Sequence, residues 1–213
     1  MKSITIDLNS DFTEAVREAV QVLRAGGIVV YPTDTVYGLG ANALDSVAVN
    51  RVFRMKKRST LTPMPSVVKN ILWAKELAFI SPLHEDRLAK VWPGKVTVVL
   101  PKREIVPSVL VGGSQTIGMR VPDHLFVDKL LGKFGYPVTG TSANLADQEP
   151  ARDPQYFIEV LAAGGDIMPD LVIDAGVLPE SAPSTVMDLT GPEPKILRIG
   201  AAKPQELLEL LQI

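Results

Sequence analysis

Residues 28–40 read Ile28-Val29-Val30-Tyr31-Pro32-Thr33-Asp34-Thr35-Val36-Tyr37-Gly38-Leu39-Gly40. The first four are β-branched or aromatic and stop at a proline, which predicts a short buried strand. From Pro32 to residue 44 the chain is rich in Thr, Gly and Asn and reads as a loop. Glycines let backbone amides approach a ligand, and hydroxyls orient it. As a bare pattern, the loop suits a structural turn better than a site. Gly38 to Ala43 also satisfies the loose dinucleotide-binding spacing, but the loop is too long for that tight turn and no acidic residue follows about 20 positions on.

On both sides of this strand the pattern is helical. Upstream, Phe12, Ala15, Val16, Ala19, Val20 and Leu23 recur on one helical face. Asp11 is the expected N-cap, with Glu14 three residues on as in a capping box, and Gly26-Gly27 the expected stop. Downstream, Asp45 opens a second helix to about Met55, and the prolines of 59–65 break the chain after it. Further strands are expected at 66–69, 95–100, 116–121, 171–174, 185–189 and 195–199, and helices at 83–91, 124–134, 154–163 and 204–212. Strands and helices interleave without strict alternation. That predicts an α/β fold built on a twisted mixed sheet with flanking helices, as a single domain over 1–213.

Composition narrows the function. The 213 residues contain no cysteine, which removes disulfides, thiolate metal sites and cysteine nucleophiles. With 22 basic and 24 acidic side chains, the formal charge of −2 lacks the basic excess of a constitutive nucleic-acid binder. No run of 18 apolar residues and no signal-peptide core occur, so a cytoplasmic protein without a membrane partner is expected.

Several motifs then invite chemistry. Lys56-Lys57-Arg58 ends the second helix, where cations either complement the dipole or bind phosphate. No Walker A motif exists, so a nucleotide would need such side-chain cations. Arg120 lies in an apolar strand; an internal ion pair and a bidentate grip on a ligand carboxylate account for it equally well. Arg198 repeats the puzzle. Thr139 to Asn144 follows a strand end with small polar groups, and Ser184 opens another strand. Trp92-Pro93-Gly94 reads as a core aromatic and a turn, His124 as a residue that starts a helix, and His84 as a surface residue. No serine triad and no metal-spaced His/Asp/Glu cluster is visible.

In this order the segments PTDTVYGLG (32–40), KKR (56–58), WPGKVTVVL (92–100), RVPDH (120–124), TSAN (141–144), STVMDL (184–189) and ILRIGA (196–201) resemble the YrdC-like family (the YrdC/YciO/YwlC type) across nearly the whole chain. The resemblance implies a single α/β domain with a concave, positively charged cleft. It implies a nucleotidyltransferase that condenses L-threonine, bicarbonate or CO2 and ATP into threonylcarbamoyl-AMP, releasing pyrophosphate, for N6-threonylcarbamoyladenosine modification of tRNA. By similarity Thr35, Arg120, Gly140 and Ser184 would bind threonine, with Arg120 on its carboxylate. Lys56, Arg58, Ser142 and Asn144 would be the catalytic group that holds the ATP phosphates and Mg2+. Thr62, Thr116 and Arg198 would lie on the nucleotide side. The magnesium would be carried by ATP, with no protein side chain assigned to it. Expected partners are tRNA or double-stranded RNA and downstream threonylcarbamoyl-transferase proteins. The alternative is a YciO-like paralogue acting mainly as a nucleotide- and RNA-binding protein. The chain departs from the family's habit at Ser59, at Pro63-Met64-Pro65 and at Val67, all near the expected nucleotide.

Overall fold

The computed structural model describes every residue except 147, 166, 212 and 213. In chain order the elements are β1 (Lys2–Thr5), α1 (Thr13–Arg24), β2 (Val29–Tyr31), β3 (Gly38–Gly40), α2 (Ser46–Met55), β4 (Ser66–Val67), α3 (Ile71–Leu77), α4 (Pro82–Val91), β5 (Val96–Pro101), β6 (Thr116–Arg120), α5 (Leu125–Phe134), β7 (Val138–Thr139), β8 (Thr141–Ser142), α6 (Pro154–Ala163), β9 (Leu171–Asp174), β10 (Thr185–Asp188), β11 (Lys195–Arg198) and α7 (Pro204–Leu211). The expected α/β class holds. The strands sort into two mixed sheets rather than one, a five-stranded sheet β1-β9-β2-β3-β8 and a six-stranded sheet β11-β10-β5-β6-β4-β7.

Gly140 is the point where the sheets meet. Val138 and Thr139 before it pair with β4 in the larger sheet, and Thr141 and Ser142 after it pair with β3 in the smaller one. The corner is tied down from both sides: Gly140 N donates to Pro65 O at 2.7 Å, and Thr139 Oγ1 donates to Leu39 O at 2.6 Å. A Cβ at residue 140 would lie 3.1 Å from Val67 Cγ2 and 3.2 Å from Pro65 O, so a side chain there would crowd the crossing.

Helix α1 buries the predicted stripe, and Ala15, Val16, Ala19, Val20 and Leu23 pack with Phe126, Val127, Leu130, Leu131 and Phe134 of α5. Its start differs from expectation. Phe12 is the residue before the helix, while Asp11 Oδ1 accepts from the Thr13 amide at 2.9 Å and the Thr13 hydroxyl at 2.6 Å. Glu14 pairs with Arg17 on the helix surface instead of reaching back. Asp45 does cap α2, accepting from the Val47 and Ala48 amides.

Four elements were not legible as such, one of them β8, Thr141–Ser142 within the run of small polar residues. Strand β1 is a mostly exposed edge strand with one apolar residue, Ile4, packed on the core, and is held in parallel on β9. Helix α3 is 7 residues long, too short to display a period, and is started by the Asn70 side chain. Strand β3 is Gly38-Leu39-Gly40, inside the stretch expected to be loop. Its glycines pair with β2 and leave room for the Tyr31 ring, which a Cβ at Gly38 or Gly40 would approach to 2.8 Å.

Candidate active site

A cavity of about 380 Å³ opens where the two sheets meet. Strands β5, β6, β10 and β11 of the larger sheet supply one wall, and Thr35, Val36, Thr141 and Ser142 supply the other. Arg58, Arg120 and Arg198 line it, and no Asp or Glu among the described residues does. Of the expected site residues Thr35, Arg58, Thr116, Arg120, Gly140, Ser142, Ser184 and Arg198 all face this space, whereas Lys56, Thr62 and Asn144 are not among its walls.

Arg120 ends β6 and is buried at 8% exposure. Its Nε donates to Gly94 O at 2.8 Å, Nη1 to Thr35 Oγ1 at 2.9 Å and Nη2 to Asp34 Oδ1 at 2.7 Å. The internal ion pair weighed from sequence therefore exists, with Asp34 as partner. A guanidinium carries five N–H donors, so one on each terminal nitrogen is left for a bidentate carboxylate. Burial pulls the guanidinium below its ordinary value, and Asp34 opposes that. Next to it the Thr97 and Ser184 hydroxyls lie 2.8 Å apart, both buried.

Arg58 and Arg198 line the same cavity. Arg58 Nη2 donates to Pro63 O at 2.7 Å, and its buried Nε has no hydrogen-bond partner among the described residues. Arg198 Nη2 donates to Ser184 O at 2.7 Å. Burial lowers Arg58, and the charge of Arg198 adds to it: two like charges share this space and are suited to a polyanion. Thr116 Oγ1 lies 2.9 Å from Ser114 Oγ.

Local chain geometry aims Lys56 and Arg58 differently. Helix α2 ends with the Arg58 amide on Phe53 O and the Lys57 amide on Arg54 O, a Schellman reversal with Lys57 in the left-handed region at φ 51°. Lys56 consequently turns inward and is buried, and its Nζ reaches Ser142 O at 2.6 Å, Asn144 O at 2.7 Å and Asn144 Oδ1 at 2.8 Å. Three acceptors match the three donors of an ammonium. Burial, with the Arg58 charge adding to it, pushes Lys56 down to about 7. Ser142 Oγ donates to the same Asn144 Oδ1 at 2.6 Å. Thr62 sits in an exposed turn, its amide on Ser59 O.

Residues 21–200 match the Sua5_yciO_yrdC family, whose description is telomere recombination. The chain belongs to the Sua5/YciO/YrdC family. It is 36% identical over 197 residues to a threonylcarbamoyl-AMP synthase of Pyrococcus abyssi, an alignment covering 92% of this chain and 57% of that relative. The chain therefore spans little more than half the length of that curated relative. The crystal structure of P. abyssi Sua5 complexed with L-threonine superposes with a TM-score of 0.88 at 33% identity, covering 98% of this chain and 60% of that one. E. coli YciO superposes with a TM-score of 0.84 at 28% identity, covering 99% and 98%.

Within this Sua5/YciO/YrdC member, Asp34, Thr97, Val99, Val186 and Leu197 join the site without having been singled out. Asp34 lay in the quoted loop, and its charge beside two threonines was the available signal. Thr97 interrupts a run of valines on β5. Trp92 is buried as expected, its indole N–H on Val96 O at 2.8 Å. A second cavity of about 600 Å³ abuts the same strand end and is lined by Val68, Trp92, Val121, His124 and Leu131, with no arginine. Among the described residues no group of three His, Asp or Glu could hold a metal, and no helix is long and apolar enough to cross a membrane.

Proposed function

We propose that this chain condenses L-threonine, bicarbonate or CO2, and ATP into threonylcarbamoyl-AMP and pyrophosphate, as the first step toward N6-threonylcarbamoyladenosine in tRNA. The observation that supports the reading is one cavity lined by Arg120, bonded to Thr35, together with the neighbouring arginines Arg58 and Arg198. Membership of a family whose relatives bear the synthase name favours it over the YciO-like alternative of nucleotide and RNA binding.

The chemistry suits these groups. The threonine amine adds to CO2 to give a carbamate, and a carbamate oxygen displaces pyrophosphate at the α-phosphorus of ATP. The obstacle is an anion approaching a polyanion, so positioning and positive charge do most of the work. Arg120 takes the threonine carboxylate, and the Thr97–Ser184 hydroxyl pair and Gly140 close that end. Arg58 and Arg198 hold the phosphates beside Thr116 and Ser142. Lys56 and Asn144 act from behind the wall by fixing Ser142. Mg2+ would arrive on ATP, since among the described residues the cavity walls offer it no carboxylate. No histidine lines this cavity, and the reaction asks for no histidine base. Delivery of the product to tRNA would fall to a transferase protein in the cytoplasm.

The test is pyrophosphate release from ATP. It should require threonine and bicarbonate together. Release indifferent to threonine overturns the substrate assignment, and tight RNA binding without turnover favours the alternative.

A further inference from the structure

Two buried polar atoms near the threonine clamp have no hydrogen-bond partner among the described residues: Asp34 Oδ2 and His124 Nδ1. Such atoms are costly to bury unpaired, so each calls for an explanation. They are complementary, because a carboxylate oxygen only accepts and a neutral imidazole donates from one nitrogen. Asp34 Oδ1 already accepts from Arg120 Nη2 at 2.7 Å. His124 comes four residues after Arg120 and immediately precedes α5, yet its side chain makes no capping bond to that helix.

We infer that His124 is a positioning residue for substrate binding: its Nδ1–H completes Asp34 Oδ2 through one water, and so holds the carboxylate that orients Arg120. The chain Arg120–Asp34–His124 has one end in the proposed active site and the other in the second cavity, whose walls include His124 but not Arg120. Electrostatics agree with the placement. Burial lowers His124, and the charges of Asp34 and then Asp123 oppose that. Lys69, Glu85 and Asp128 are the other charged walls of the second cavity. A histidine kept neutral by burial presents a single ring N–H, and Asp34 selects Nδ1 to carry it. Without that donor the Asp34 carboxylate is free to turn from Arg120, and the clamp loses its fixed geometry.

The inference rests on Arg120 holding the threonine carboxylate, so the experiment has two independent arms. The first needs no substrate. The chain has two histidines, so a His84→Gln spectrum assigns both imidazoles by nitrogen-15 NMR. His124 should carry its proton on Nδ1, and Asp34→Asn should lower its titration midpoint. A proton on Nε2, with a midpoint indifferent to Asp34→Asn, overturns the contact. The second arm is kinetic. His124→Ala should raise the KM for threonine about tenfold with kcat nearly unchanged, the signature of lost substrate binding. His124→Asn, whose amide replaces Nδ1–H, should restore most of the affinity, while His124→Gln should not. Equal KM values in all three variants and the native chain overturn the positioning role. If the native chain neither binds nor consumes threonine, the proposed function fails, and the NMR arm still decides the Asp34–His124 contact.

Discussion

Lys56 grips Asn144 by both of its oxygens, 2.7 Å from the backbone carbonyl and 2.8 Å from the side-chain carbonyl. The end of α2 and the turn after β8 are thereby fastened through one buried ammonium, and Ser142 is held in the cavity wall by the same Asn144 side chain. The Lys-x-Arg and Ser-x-Asn segments are one mechanical unit.

Replacing that ammonium should be expensive. Lys56→Met leaves three buried oxygens without a donor and is expected to cost roughly 3 kcal/mol. The difference should also depend on pH. The folded Lys56 titrates at about 7, against about 10.4 for an unfolded lysine. Between those values the unfolded chain holds a proton that the folded chain has released. Native stability therefore rises with pH across that window, by at most about 1.4 kcal/mol per pH unit. Lys56→Met lacks this contribution, so its deficit should widen upward from neutrality. Urea unfolding of both chains at several pH values measures it; parallel curves would mean that Lys56 keeps an ordinary affinity for its proton.

The Arg58 side chain makes one hydrogen bond among the described residues, to Pro63 O. Arg58→Ala should leave the melting temperature within a few degrees while lowering turnover about 10²–10³-fold, as for loss of one preorganised charge contact. Circular dichroism and pyrophosphate release, run on one preparation, separate the two effects.

Gly200 packs its α-carbon against Pro183 and Ser184, the residues that lead into β10. A Cβ there would lie 2.1 Å from Pro183 O and 2.6 Å from the Ser184 carbonyl carbon, both backbone atoms. Gly200→Ala should therefore push β11 from β10, costing about 2 kcal/mol. Thermal unfolding reads the cost, and the accompanying displacement of Ser184 should appear as a higher KM for threonine.

Thr97→Val keeps the shape of the side chain and removes the hydroxyl that lies 2.8 Å from Ser184 Oγ. Stability should fall by about 1 kcal/mol, and threonine affinity should fall with it; Thr97→Ser should be close to native. Isothermal titration with threonine across the three proteins checks the order.

The helical stripes of α1 and α5, the Asp45 cap, the strand at Val29–Tyr31 and the buried run of β5 were legible because burial imposes a period or an apolar run on neighbouring residues. Lys2–Thr5 was not, because a single inward residue, Ile4, in a four-residue edge strand is too little to display an alternation. Gly38-Leu39-Gly40 was not, because its strand character comes from Tyr31 covering the glycines rather than from its own residues. At the site, similarity of ordered motifs pointed to residues of which eight line one cavity. It did not distinguish Arg58, which faces the cavity, from Lys56 two positions earlier, which is locked behind it.

By itself the sequence determined the α/β class, most of the elements and the chemical inventory: cations, hydroxyls and amides without cysteine. Those properties reside in composition and local spacing. Only the tertiary structure decided that the strands divide between two sheets at Gly140, that Asp34 pairs with Arg120 across 86 positions, and that Lys56 spends its protons on Ser142 and Asn144. The physical reason is that a side chain's partner is set by distance in space and by the burial that makes an unpaired charge costly, and local sequence encodes neither.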